Sequence, residues 1–68
     1  MFNLDEFRDN LAALIADTDQ LQAMIDYGRQ EYKDDPVIMK ELDLTQEEAN
    51  KCREAIAFAQ SQIDRLSS

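Results

Sequence analysis

Apolar and small side chains recur along the first half of the chain at Leu4, Phe7, Leu11, Leu14, Thr18, Leu21, Ile25, Gly28 and Tyr32, in alternating steps of three and four. That spacing keeps one stripe of a helix turned toward a single partner, and over about four heptads it predicts a coiled-coil seam. A second seam runs from Ile38 through Leu42, Thr45, Ala49, Cys52, Ile56, Ala59 and Ile63 to Leu66. Between the two, Lys33, Asp34, Asp35 and Pro36 interrupt the pattern. A proline ring disfavours a helical residue before it and suits the first position of a new helix, so Asp35 is the expected cap of that helix. The spacing predicts a helix over 4–33, a turn at 34–35 and a helix over 36–66.

Folding the chain back near residue 35 pairs positions whose numbers add to 70, and every seam position then finds a partner. In heptad terms each a position of the first helix meets a d position of the second, the layering that an antiparallel pair requires. Sizes complement each other as well: Leu11 faces Ala59, Leu21 faces Ala49 and Gly28 faces Leu42. A large side chain opposite a small one lets two helices approach at native packing density. The expected fold is therefore all-α, an antiparallel two-helix hairpin of coiled-coil type forming a single domain over 1–68. At its start, Asn3 and Glu6 have the spacing of a capping box, and Phe2 and Phe7 that of a hydrophobic staple. Thr45 and Glu48 make a second capping box, so a break near 43–45 is an alternative to a continuous second helix. The unbroken register from Ile38 to Ala49 favours continuity.

The flanks of the seams depart from what a lone hairpin needs. Positions e and g of a two-stranded coiled coil usually carry charge, yet here Ile15, Met24, Met39 and Ala55 occupy several of them. Tyr27, Leu44 and Phe58 lie just outside one g edge and widen the apolar face into a second stripe. Glu31 and Glu41 meet at a g-to-g contact that an isolated hairpin would avoid. These seven apolar positions are the expected interface, either with a second copy, giving a four-helix bundle, or with another protein. A chain of 68 residues has a small core and no visible staple, which favours the homodimer.

Composition sharpens the functional expectation mainly by exclusion. Fifteen acidic residues against seven basic ones give a net charge of -8, which repels phosphate backbones and anionic lipid, so no direct nucleic-acid or membrane binding is expected. The longest strongly apolar stretch, Leu11 to Ala16, falls far short of the roughly 20 residues that cross a bilayer. Histidine is absent and the one cysteine, Cys52, cannot form an intramolecular disulfide. Asp5 and Glu6 stand where a secretory leader carries lysines and an apolar run, and with the single thiol this points to the cytoplasm.

Little in the sequence can do chemistry. The only glycine, Gly28, sits in a helical seam rather than in a phosphate-cradling loop. Glu31, Asp34 and Asp35 cluster at the turn but lack the alternating ligand spacing of a calcium loop, so no metal or other cofactor is expected. Cys52, at a d position opposite Thr18, is expected as a core thiol. No nucleophile is paired with a base, and no enzymatic activity is expected.

The overall plan resembles Rop, the family of small plasmid copy-number regulators whose two-helix hairpins dimerise into a four-helix bundle. The likeness is one of architecture over the whole length and rests on no shared motif; the RNA-binding role of that family sits badly with a charge of -8. The stretch Met39, Lys40, Glu41, Leu42, Asp43 resembles the Ser-Gln-Glu-Leu-Asp signature of the sporulation phosphatases that act on an aspartyl phosphate. Only Glu41, Leu42 and Asp43 agree and the serine is missing, so the activity is not carried over.

Two functions fit these residues. The first is a small acidic, non-catalytic protein-interaction or regulatory module, working as a homodimer and offering its acidic outer face to a protein with a basic surface. The alternative is an inhibitor that mimics DNA, of phage or mobile-element type. In that case Asp5, Asp9, Asp19, Asp26, Glu47, Glu54 and Asp64 would space negative charge along a rod of about 45 Å.

Overall fold

The computed structural model describes residues 3–67. Two helices, α1 (Leu4–Glu31) and α2 (Pro36–Ser67), pack against each other as a hairpin measuring 49 × 19 × 15 Å. Asn3 starts α1: its side-chain oxygen accepts from the backbone N–H of Asp5 at 3.0 Å and of Glu6 at 3.2 Å, satisfying donors that have no partner within the helix. Phe2, the other half of the expected staple with Phe7, lies outside the described residues.

The first helix ends at Glu31, two residues before the expected boundary, because the chain turns at once after it. Tyr32 N–H still donates to Gly28 O, but Asp35 N–H donates to Tyr32 O, closing a tight turn over residues 32–35. Asp35 then caps α2 as its place before Pro36 implies. Its carboxylate accepts from Val37 N–H at 3.1 Å and from Ile38 N–H at 3.2 Å. Asp35→Ala removes this cap and is expected to cost about 1 kcal/mol, read as a lower urea midpoint with unchanged slope.

No break interrupts α2 at 43–45. Thr45 does not cap a new helix; its hydroxyl donates to Glu41 O at 2.9 Å, one turn back within the same helix. Continuity preserves the register, and the antiparallel pairing is visible at the turn end, where the Gly28 backbone lies against Leu42. A methyl group placed on Gly28 would stand 3.0 Å from Leu42 Cδ2. At the open end Leu11, Ile56 and Ile63 form the core, with Leu4, Phe7, Ile15 and Ala59 packed on it.

Burial is not shared evenly along the two seams. Among the a positions Leu11, Thr18, Ile25, Ala49, Ile56 and Ile63 are buried, Leu4 and Leu42 half-buried and Tyr32 exposed; among the d positions Gly28 is buried, Phe7, Leu21, Ile38, Thr45, Cys52 and Ala59 are half-buried, and Leu14 and Leu66 are exposed. Both helices are therefore rolled about their axes, bringing their e flanks inward and turning their g flanks out. Leu14, Leu66 and the supposed core thiol of Cys52, all at d positions, consequently lie less deep than the seam alone implies, and Tyr32 is exposed where the chain leaves the first helix.

Candidate functional site

The roll has a cause in the side chains of the two flanks. On the e flank Gln22 and Gln46 exchange hydrogen bonds through their amides, at 2.8 and 2.7 Å, and Arg53 donates to Gln22 Oε1 at 2.7 Å. Arg53 also donates to Asn50 at 3.2 Å, and near the turn Arg29 pairs with Asp43 at 2.9 Å. At the other end Arg8 donates to Ser67 Oγ. These neutral amides and opposite charges draw the e flanks together. The g flanks carry the exposed carboxylates of Asp17, Glu31, Glu41 and Glu48, with Lys51 3.6 Å from Glu48, and Glu31 and Glu41 are like charges at one level.

What the open edge shows is largely apolar. Phe58 is 67% exposed, Tyr27 64%, Met24 63% and Leu44 50%, and Leu14 and Ala55 are exposed beside them. Near the turn the same edge holds a groove of about 470 Å³, lined by Met24, Tyr27, Gly28, Tyr32, Ile38 and Leu42 together with Gln20 and Ala23. Its lining side chains are apolar apart from the two phenols and one amide, and neither phenol is buried. Single apolar side chains on a surface need no explanation, whereas a run of them flanking an apolar groove is unusual on a small protein.

The seven residues that the sequence nominated as an interface do not all share this surface. Met24, Tyr27, Leu44, Ala55 and Phe58 lie at g and c positions and are exposed on the open flank. Ile15 and Met39 lie at e positions and are half-buried; Ile15 packs on the core cluster and lines a smaller, more polar recess with Thr18, Asp19, Arg53 and Ile56. Leu14, Tyr32, Gly28, Ile38 and Leu42 were not nominated for the surface, because the heptad rule assigns them all to the seam. Only the roll of the helices puts them at its edge.

The seven acidic residues, Asp5, Asp9, Asp19, Asp26, Glu47, Glu54 and Asp64, are all exposed. They occupy b and f positions, on the backs of the helices and away from the open flank, and Asp26 accepts from Gln22 at 3.0 Å. The acidic and apolar surfaces are therefore separate, so covering one leaves the other free.

Among the described residues no group of three or more Cys, Asp or Glu side chains is placed to hold a metal ion, and no helix is long and apolar enough to cross a membrane. Cys52 is half-buried; Arg53 beside it is committed to Gln22 and Asn50, and Lys51 lies 3.6 Å from Glu48. Comparison of the chain with protein-family models, with curated proteins and with solved structures returned no match.

Proposed function

We propose that this chain is a small acidic, non-catalytic interaction module that works as a homodimer, two hairpins closing their open flanks on each other as a four-helix bundle. The exposure of Met24, Tyr27, Leu44 and Phe58 on one edge supports this most strongly, because a two-helix core alone removes too little apolar surface from water to hold a chain of this length firmly. The acidic b and f positions remain on the outside of such a dimer, where they suit a protein partner with a basic surface. A histidine-free chain with one half-buried thiol has little with which to catalyse, and a lone thiol is compatible with a reducing cytoplasm. Sedimentation equilibrium at micromolar concentration tests the proposal. The wild-type chain is expected at twice 7.9 kDa, and Phe58→Asp is expected to weaken association at least about tenfold, since it buries a charge in an apolar contact. A monomer whose behaviour Phe58→Asp leaves unchanged removes the idea.

The exposure of all seven acidic residues along a body 49 Å long favours the DNA-mimic reading as the alternative. That reading requires tight binding to a nucleic-acid-binding protein that weakens steeply with salt. Binding indifferent to salt excludes it.

A further inference from the structure

Resting on the homodimer proposed above, we infer that the two copies pack with their turns at opposite ends, about a two-fold axis that crosses the open flank near Gln20 and Lys51. The open flank is divided along its length. Toward the turn it carries Met24, Tyr27 and Leu44; toward the open end it carries Leu14, Ala55 and Phe58. A polar band separates the two patches, formed by Asp17 and Gln20 on α1 and by Glu48 and Lys51 on α2, the last two 3.6 Å apart. With the hairpin register set by Gly28 against Leu42, and a rise of about 1.5 Å per residue, the patches lie at nearly equal distances on either side of this band.

A two-fold contact pairs one surface with itself, so each residue must tolerate what the symmetry puts opposite. Two arrangements bury the apolar patches, and charge distinguishes them. If both turns lie at the same end, Glu31 and Glu41 of the two copies come to one level, and four carboxylates converge. If the turns lie at opposite ends, Glu31 meets the partner's Asn10 and Glu41 meets the partner's Gln62, both neutral amides that can donate to a carboxylate. In the same arrangement the axis passes Lys51, so the two Lys51 side chains lie side by side, each 3.6 Å from Glu48 of its own chain, a group with no net charge, while Phe58 reaches the partner's Leu44 and the mouth of its groove. Like charges opposed across a packed contact destabilise it, and donors or opposite charges do not. The opposite-end arrangement is the one this charge pattern accepts.

Cysteine cross-linking of the full chain in a Cys52→Ala background tests the arrangement. Chains carrying Asn10→Cys mixed with chains carrying Glu31→Cys are expected to form a covalent dimer under mild oxidation. The rate should be at least about tenfold above that of an outer-face control, Asp9→Cys mixed with Glu47→Cys, because docked thiols meet at a far higher effective concentration. Glu31→Cys mixed with Glu41→Cys is expected to link no faster than the control. The reverse pattern overturns the arrangement, as does a chain that sediments as a dimer but links in neither mixture; both leave the homodimer standing. A chain that sediments as a monomer overturns the homodimer and the arrangement with it.

Discussion

Ile25→Ala is expected to remove most of the chain's stability at room temperature. Ile25 is 1% exposed, the one large side chain among the described residues that is fully buried, and it lies one turn before the Gly28–Leu42 contact. Truncating a buried isoleucine costs the transfer energy of the lost carbons and the cavity left behind, about 3 kcal/mol together. A core of this size supplies roughly 3–5 kcal/mol in all, so the loss is comparable to the whole stability. Circular dichroism at increasing urea should show a small or absent folded baseline for Ile25→Ala and a shift of only about 1 kcal/mol for Ile25→Val. Equal and small effects for both substitutions would mean that Ile25 is not enclosed.

Overpacking the closest approach of the helices should be nearly as severe. At Gly28 the Cβ of any larger residue would stand 3.0 Å from Leu42 Cδ2 and 3.2 Å from Cδ1, with Cγ 3.7 Å away. An alanine asks only the end of a flexible leucine to move by tenths of an ångström, against a gain of about 1 kcal/mol in helix propensity, so Gly28→Ala should change stability little. Gly28→Leu places three further carbons where Leu42 already sits, and is expected to cost about 2–3 kcal/mol. Shortening the opposing side chain should relieve it: in a double-mutant cycle Gly28→Leu and Leu42→Ala are expected to couple favourably by about 1–2 kcal/mol. Additive effects would place the two residues out of contact.

Both substitutions act on features that the sequence spells out. Strict heptad spacing, with Gly28 falling opposite Leu42 when the chain is folded at residue 35, carries the hairpin and its register. Asn3 and Asp35 announce the two helix starts, since each is a short acceptor before residues with unpaired N–H groups. Thr45 shows the limit of such local signals. It stands at the same distance from a glutamate as a true cap, yet its hydroxyl turns back to Glu41 O within a continuous helix. Seam continuity outweighs the cap motif because a break there would displace every later apolar residue from the core.

The candidate surface was only partly legible. Composition at the e and g positions reveals excess apolar residues but not which edge they leave open, because that depends on the balance between two flanks. Gln22, Gln46 and Arg53 close one edge through hydrogen bonds, whereas the other edge carries the exposed carboxylates of Asp17, Glu31, Glu41 and Glu48. The seam pattern treats a and d positions as equivalent, whereas the roll buries Ile25 and Ala49 and leaves Leu14 and Cys52 nearer the surface. Ile15 and Met39 look like members of the same apolar stripe in sequence, but they sit on the closed edge. A side-by-side count of hydrogen-bonding residues at e and of like charges at g is the signal that would have separated them.

If a second hairpin completes the core, folding and association are one equilibrium, and stability must depend on how much protein is present. Urea unfolding of the wild-type chain at a series of concentrations measures this directly. For a folded dimer that separates into two unfolded chains, each tenfold increase in concentration should raise the apparent stability by about 1.4 kcal/mol and move the midpoint upward accordingly. A midpoint that stays fixed across the series would show a hairpin that is stable by itself, and the open flank of Met24, Tyr27, Leu44 and Phe58 would then be no dimer interface.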